Sequence, residues 1–170
     1  MEAQCAAVAW ICQETGGVET DSSAVDHWLE TRNEVPTFRA FLEKGIILDT
    51  IEVASTWDLV VPLYERVTKS LMEVEGMLMA TGHSSHSYRS GTNLYFTFVA
   101  RPAERSRMAD IYRESWKRTM DAVLELGAGI SHHHGIGRVR RDALRGELGE
   151  SGISVLRSVK RALDPGGLLN

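Results

Sequence analysis

Apolar and polar positions change period several times along the chain, and the changes mark its elements. Residues 2–15 carry Ala6, Ala7, Trp10 and Ile11 at helical spacing, and Gly16-Gly17 ends that helix. VETDSS follows as a loop, from which Ser22 or Ser23 caps a short helix through Thr31. Pro36 opens a further helix, PTFRAFLEKG, which Gly45 stops. Residues 46–55 (IILDTIEVAS) then alternate as a strand. Residues 57–75 form a helix, with Asp58 near its start and Pro62 tolerable only within its first turns. Residues 76–84 (GMLMATGHS) and 92–100 (TNLYFTFVA) are a second and a third strand, the latter rich in aromatic and β-branched residues and ended by Pro102. A long helix over 103–126 leads to Gly127–Ser131, a short apolar stretch that reads as a fourth strand. Helices over 140–148 and 151–163 follow, and DPGGLLN cannot continue them.

The order β-α-β-β-α-β is that of a ferredoxin-like split βαβ unit, an α+β fold in which helices cover an antiparallel sheet. Three segments result. Residues 1–45 are a helical lead-in, 46–134 the ferredoxin-like domain, and 135–170 the C-terminal helices and tail. No Gly-rich phosphate loop follows a strand, so no self-contained nucleotide site is expected.

Composition narrows the function classes. A length of 170 residues, 43% hydrophobic and 25% charged, suits one soluble globular domain with appendages. The net charge of −4 argues against non-specific nucleic-acid binding. The basic run Arg138–Arg145 reads as a solvated helix face, with a phosphate-attracting rim as a further reading. Cys5 and Cys12 lie about 10 Å apart along one helix, too far for a disulfide, so they read as buried small hydrophobes in a reducing compartment. No stretch approaches a membrane span, and the N-terminus lacks the basic region of a signal peptide. A cytoplasmic location is the expectation, with peripheral membrane association left open.

Ser131-His132-His133-His134-Gly135-Ile136-Gly137 is the most unusual run. Three consecutive histidines at a strand end are rare in a core, and the plain alternative is a solvated loop. Imidazole can ligate a metal, act as a base, or donate to an anion, and all three uses stay open here. The spacing of His83, His86 and the triplet matches no standard zinc motif, so no metal is assigned. The connection Gly82–Gly91 is dense in hydroxyls and imidazoles. Its Tyr88 stands between His86 and Arg89, cations that favour a phenolate suited to proton transfer, or it is simply a strand-end aromatic. Arg32 and Arg39 flank Pro36 and suit bidentate phosphate or carboxylate binding, although most such arginines are merely exposed. Glu52 sits mid-strand, where a solvent-facing role is common and aiming a carboxylate into a site is the alternative. Trp57 reads as core.

SHHHGIGRVRRDAL, SVLRSVKRALDPGGLLN, SYRSGTNLYFTF and DTIEVASTWD together resemble the C-terminal half of alkyldihydroxyacetonephosphate synthases, flavoproteins of the vanillyl-alcohol-oxidase superfamily. The resemblance covers about Arg32 to Asn170 and, more loosely, the N-terminus. It implies a cap or substrate domain over FAD, a cofactor held mainly by a domain not among these residues. It implies exchange of the acyl chain of acyl-dihydroxyacetone phosphate for a fatty alcohol, a transferase step of ether-lipid biosynthesis without net redox change. A homodimer is implied for the complete enzyme, and these residues alone are expected to be inactive. By the same resemblance Tyr88 takes a substrate proton, and His132, His133 and His134 lie near flavin and substrate. Arg39 lies on the substrate side, with Arg32 and His83 as further substrate-binding candidates, and Asn170 joins His133 and His134 towards the flavin. The wider superfamily includes metal-assisted 2-hydroxy acid dehydrogenases. Gly82-His83 matches one of their motifs, but Tyr95 and His133 stand where a second His and a Glu belong. A dehydrogenase or oxidase of 2-hydroxy acids is therefore the alternative activity, and a non-catalytic ferredoxin-like module a third reading.

Overall fold

The computed structural model describes residues 1–34 and 37–169. Pro36, expected to open a helix, and Asn170, expected near the flavin, lie outside them. The chain divides into two units, Met1–Thr37 and Phe38–Asn170.

The first unit holds helices α1 (Glu2–Glu14) and α2 (Ser23–Thr31). Neither helix has a buried residue. Cys5 and Cys12 are exposed, not the buried hydrophobes expected from the sequence. The reason is local: within α1 the apolar residues have no packed face to enter, and Trp10 and Ile11 stay exposed with them.

The second unit opens with α3 (Arg39–Glu43), a single turn that feeds β1 (Ile47–Thr56). Next come α4 (Val60–Met72), β2 (Met77–His83), β3 (Gly91–Ala100), α5 (Met108–Glu125) and α6 (Arg141–Leu163). Pro62 is the third residue of α4, where no intrahelical N–H is yet required. The long helix expected over 103–126 starts later, after a 3₁₀ turn at Arg105–Arg107. The two expected C-terminal helices are one helical stretch broken at Gly149, whose φ of 65° lies in the left-handed region.

The strands form an antiparallel sheet in the order β1-β3-β2. A full fourth strand at Gly127–Ser131 does not form. Gly129 alone pairs with Ala54, exchanging two backbone hydrogen bonds of 2.9 Å on the free side of β1. The next N–H, that of Ile130, points away from β1 to Glu147 Oε1, while the next β1 carbonyl on that side, that of Glu52, accepts from Arg140, and the chain then turns into the histidines. Position and direction are still those of the last strand in a ferredoxin-like unit.

Alternation sets the core. Leu94, Phe96, Phe98 and Ala100 of β3, with Ile47, Ile51 and Val53 of β1, are buried against Leu63, Val67 and Leu71 of α4 and Ile111 and Val123 of α5. The opposite face carries Thr50 and Thr97, whose hydroxyls meet at 3.1 Å, and then a row across three strands in which Glu52 pairs with Tyr95 and Tyr95 with His83. Trp57 is not in the core: it is 50% exposed and its indole Nε1 donates to the Tyr88 carbonyl at 2.9 Å.

Candidate functional site

The site grows from a buried carboxylate. Glu52 stands on the sheet face without helices, yet its exposure is 0%, because the segment after Ile130 folds over it. The backbone N–H groups of His132, His133 and His134 converge on its oxygens at 3.0, 3.2 and 3.5 Å. Successive N–H groups of this kind form a nest for an anion. Two imidazoles add to it, with His132 Nδ1 at 3.2 Å and His133 Nδ1 at 3.0 Å from Glu52 Oε1. Burial by itself raises the carboxyl's pKa, but the three N–H groups and the neighbouring His133 outweigh it, so Glu52 stays below its ordinary value and charged.

A second buried charge holds the ends of the same segment. Arg140, 5% exposed, donates through Nε to the Ile130 carbonyl, through Nη1 to that of Gly135 and through Nη2 to that of Glu52, at 3.0, 3.0 and 2.9 Å. Its guanidinium lies over the Trp116 ring, 4.8 Å from the centroid. Trp116 and Tyr112 both donate to Asp49 Oδ2. Burial and that carboxylate push the Tyr112 phenol up to about 12. Burial lowers the Arg140 pKa against the raising charges of Glu52 and Asp49. The basic run is therefore not uniformly a solvated face. Gly135 and Gly137, at φ 73° and 55°, make the turn that brings Arg140 back under the histidines.

The other wall is the β2–β3 connection. Asn93, fully buried, accepts at Oδ1 from the N–H groups of Ser85 and His86 at 3.1 and 3.0 Å. Its amide nitrogen lies 3.2 Å from His86 Nδ1. Tyr88 N–H donates to the Gly91 carbonyl at 2.8 Å. Gly91 is required by close approach: a Cβ there meets the Ser55 oxygen at 2.0 Å. Between the walls lies a pocket of about 260 Å³, bordered by Tyr88, Thr92, Gly129 and His132 among others. The Tyr88 and His132 rings are 5.3 Å apart, and His86 is 5.5 Å from His132 and 5.0 Å from His133.

Among the residues singled out in the sequence, Tyr88, His86 and the triplet thus come together. His83 stacks on Tyr95 at 5.1 Å, one strand from the pocket. Arg39 stands on α3, before β1, with its Nε 2.8 Å from Glu43 Oε1; the structure does not bring it to the histidines. Arg32 belongs to the first unit, where its guanidinium lies 5.5 Å from the centre of the Trp28 ring. Nitrogens of His86, His132 and His133 approach within 4.8 Å of one another, close enough for a cation. Sequence reasoning missed Arg140 and the buried state of Glu52. The central position of Glu52 in an alternating strand was the available signal for the latter. The donors on this face are imidazoles, phenols and hydroxyls, which fit the edge of a flat ring or a polar substrate. They form no cradle for a pyrophosphate.

Comparison with known proteins accords with this one-sided site. The model of the family "FAD linked oxidases, C-terminal domain" matches residues 1–170. An alkyldihydroxyacetonephosphate synthase of Trypanosoma brucei brucei is 31% identical over 148 residues, which are 84% of this chain and 24% of that protein. An uncharacterized FAD-linked oxidoreductase, YgcU, of Escherichia coli (strain K12) is 30% identical over 165 residues, 88% of this chain and 33% of that protein. A solved alkyldihydroxyacetonephosphate synthase structure superposes with a TM-score of 0.54 at 26% identity, covering 82% of this chain and 23% of that one. The chain thus spans between a quarter and a third of the length of such relatives.

Proposed function

The chain belongs to the FAD-linked oxidase C-terminal domain family, and from that premise we propose that it is the substrate-side domain of an enzyme resembling alkyldihydroxyacetonephosphate synthase. FAD, when bound by the remainder of such an enzyme, supplies an electrophilic ring. In this reading the chain closes the site over that ring, with His133 and His134 facing it. The substrate enters the pocket between Tyr88 and His132. Tyr88 takes the proton from the substrate carbon, and the imidazoles of His132 and His134 hold the substrate's anionic end by hydrogen bonds. Ether-lipid synthesis, a homodimer and association with a membrane surface belong to the same proposal. No helix among the described residues is long and apolar enough to cross a membrane.

The observation that carries this reading is the approach of Tyr88 to His132 across the pocket. Tyr88 is 51% exposed on that wall, so its hydroxyl has no structural duty that a phenylalanine would fail to meet. The test is Tyr88→Phe in a complete, flavin-loaded enzyme carrying this domain. Turnover falls by about 10²-fold or more while flavin content and fold are unchanged. Turnover within twofold of the parent would overturn the role given to Tyr88.

A further inference from the structure

Glu52, Tyr95 and His83 form a row across β1, β3 and β2, since Glu52 pairs with Tyr95 and Tyr95 with His83. His133 bridges two members of that row. Its Nδ1 is 3.0 Å from Glu52 Oε1 and its Nε2 is 2.8 Å from the Tyr95 hydroxyl. A neutral imidazole has one N–H and one lone pair, and its partners decide which nitrogen carries which. Glu52 is a buried carboxylate and can only accept, so the proton sits on Nδ1. The lone pair is then on Nε2, facing a phenol that can donate. His132 competes for the same oxygen, with its Nδ1 3.2 Å from Glu52 Oε1. Its Nδ1 is 2.8 Å from that of His133, a distance that one proton bridges and two N–H groups cannot share. The shorter approach to Glu52, 3.0 Å, together with the Tyr95 hydroxyl at Nε2, gives that proton to His133 Nδ1.

We propose that Tyr95 is a second proton-handling phenol of the site, activated by His133, with Glu52 as the positioning residue that fixes the imidazole's tautomer. Tyr95 is partly exposed on the open sheet face and can meet a ligand. In the forward step Tyr95 Oη takes the proton of a substrate hydroxyl while its own proton passes to His133 Nε2. The O–H electron pair stays on the substrate oxygen. The imidazolium so formed faces the Glu52 carboxylate, and the reverse step returns both protons. No electron is transferred and no further reactant is needed. The chain of carboxylate, imidazole and hydroxyl is the arrangement that makes a weak acid a usable base at neutral pH. Its chemistry selects a substrate with an alcohol group. That purpose rests on the function proposed above, but the hydrogen-bond chain exists or fails independently of it.

The test is nuclear magnetic resonance of the ¹⁵N-labelled 170-residue chain at pH 8, where a free imidazole is neutral. Histidine nitrogens in the parent, Tyr95→Phe and Glu52→Gln are compared. In the parent, His133 shows an Nδ1–H and an unprotonated Nε2. Tyr95→Phe moves the His133 Nε2 resonance towards that of a lone pair with no donor and leaves His27 unmoved. Glu52→Gln mixes the His133 tautomers. Should that variant not fold, Tyr95→Phe carries the test alone. A His133 protonated on Nε2 in the parent, or an Nε2 resonance unmoved in Tyr95→Phe, overturns the proposal. So does stoichiometric zinc binding by the chelator-stripped chain that is lost in His86→Ala, because a cation at His86, His132 and His133 displaces the protons of the chain. A failed Tyr88→Phe test, by contrast, leaves these resonances untouched.

Discussion

The pocket has two walls held by different physics. The histidine segment, Ser131–Gly137, is organised by two buried charges: Glu52 gathers its N–H groups and Arg140 gathers the carbonyls at its ends. The tyrosine segment, Ser84–Ser90, is organised by a neutral amide, Asn93, which accepts two N–H groups, and by one indole donor, Trp57. Burying a charge costs more than burying an amide and is stable only when every hydrogen bond is made. The first wall is therefore stiff and intolerant, and the second is adjustable. A site that keeps its imidazoles fixed while a tyrosine moves to meet the substrate fits that division.

The strongest way to break the comparison is Arg140→Met. It keeps the apolar contact with Trp116 but leaves the buried carbonyls of Ile130 and Glu52, and that of Gly135, without their donor and removes a buried cation that interacts with Glu52. A loss of about 3–5 kcal/mol in unfolding free energy is expected, measured by urea denaturation of the chain. A loss below about 1 kcal/mol would mean that the histidine wall does not depend on its buried cation, and the two walls would be alike.

Acid discriminates more finely. Glu52 titrates below its ordinary value in the folded chain because burial is outweighed by three N–H groups. A carboxylate with a depressed folded pKa contributes stability that is complete above its unfolded value, about 4.3, and is lost as pH falls through the folded one. Amide protection at His132, His133 and His134 should therefore hold at pH 6 and drop at the acid end, below about pH 4. Protection at Ser85 and His86 should not follow, since their acceptor is an amide oxygen that does not titrate there. Hydrogen-exchange protection factors at the two pH values decide it. Parallel loss in both segments would show global acid unfolding and no difference between the walls.

The same contrast explains what was legible in the sequence. The alternation in TNLYFTFVA and the periodicity of α4 and α5 fixed the sheet, its helices and their order, because burial repeats every two or 3.6 residues. The histidine triplet and Tyr88 were visible as unusual residue types near expected strand ends. The buried charges were not. Glu52 lies in a strand whose neighbours Ile51 and Val53 announce only the helix-facing side, and what covers the other side comes from 80 residues further on. Arg140 looks like its neighbours Arg138 and Arg141, and only the turn at Gly135 and Gly137 decides which arginine turns inward. The fourth strand failed for a related reason. Its next ladder position lies opposite Glu52, whose carbonyl accepts from Arg140 instead, a contact that the local pattern cannot foresee. Trp57 was misread because size and apolarity favour a core, whereas here a single N–H donor holds it at the surface.

That indole offers the smallest and most specific perturbation. Trp57→Phe keeps a ring on the same backbone and deletes only the donor to the Tyr88 carbonyl. The side chain is half exposed, so the carbonyl can take water instead, and the stability cost should be about 1 kcal/mol or less. Its effect on the wall should be larger than its effect on the fold. Tyr88 is otherwise tied through its N–H to Gly91, two positions from the anchor at Asn93, so its carbonyl becomes the free end of the turn. Amide exchange at Tyr88 and Arg89 should then speed up several-fold while His132 and His133 remain protected. Equal loosening of both walls would mean that the tyrosine segment and the histidine segment form one cooperative unit, and the division between a fixed and an adjustable wall would fall. Loosening confined to Ser84–Ser90 would place the adjustable element of the site at the carbonyl of the residue proposed to take the proton.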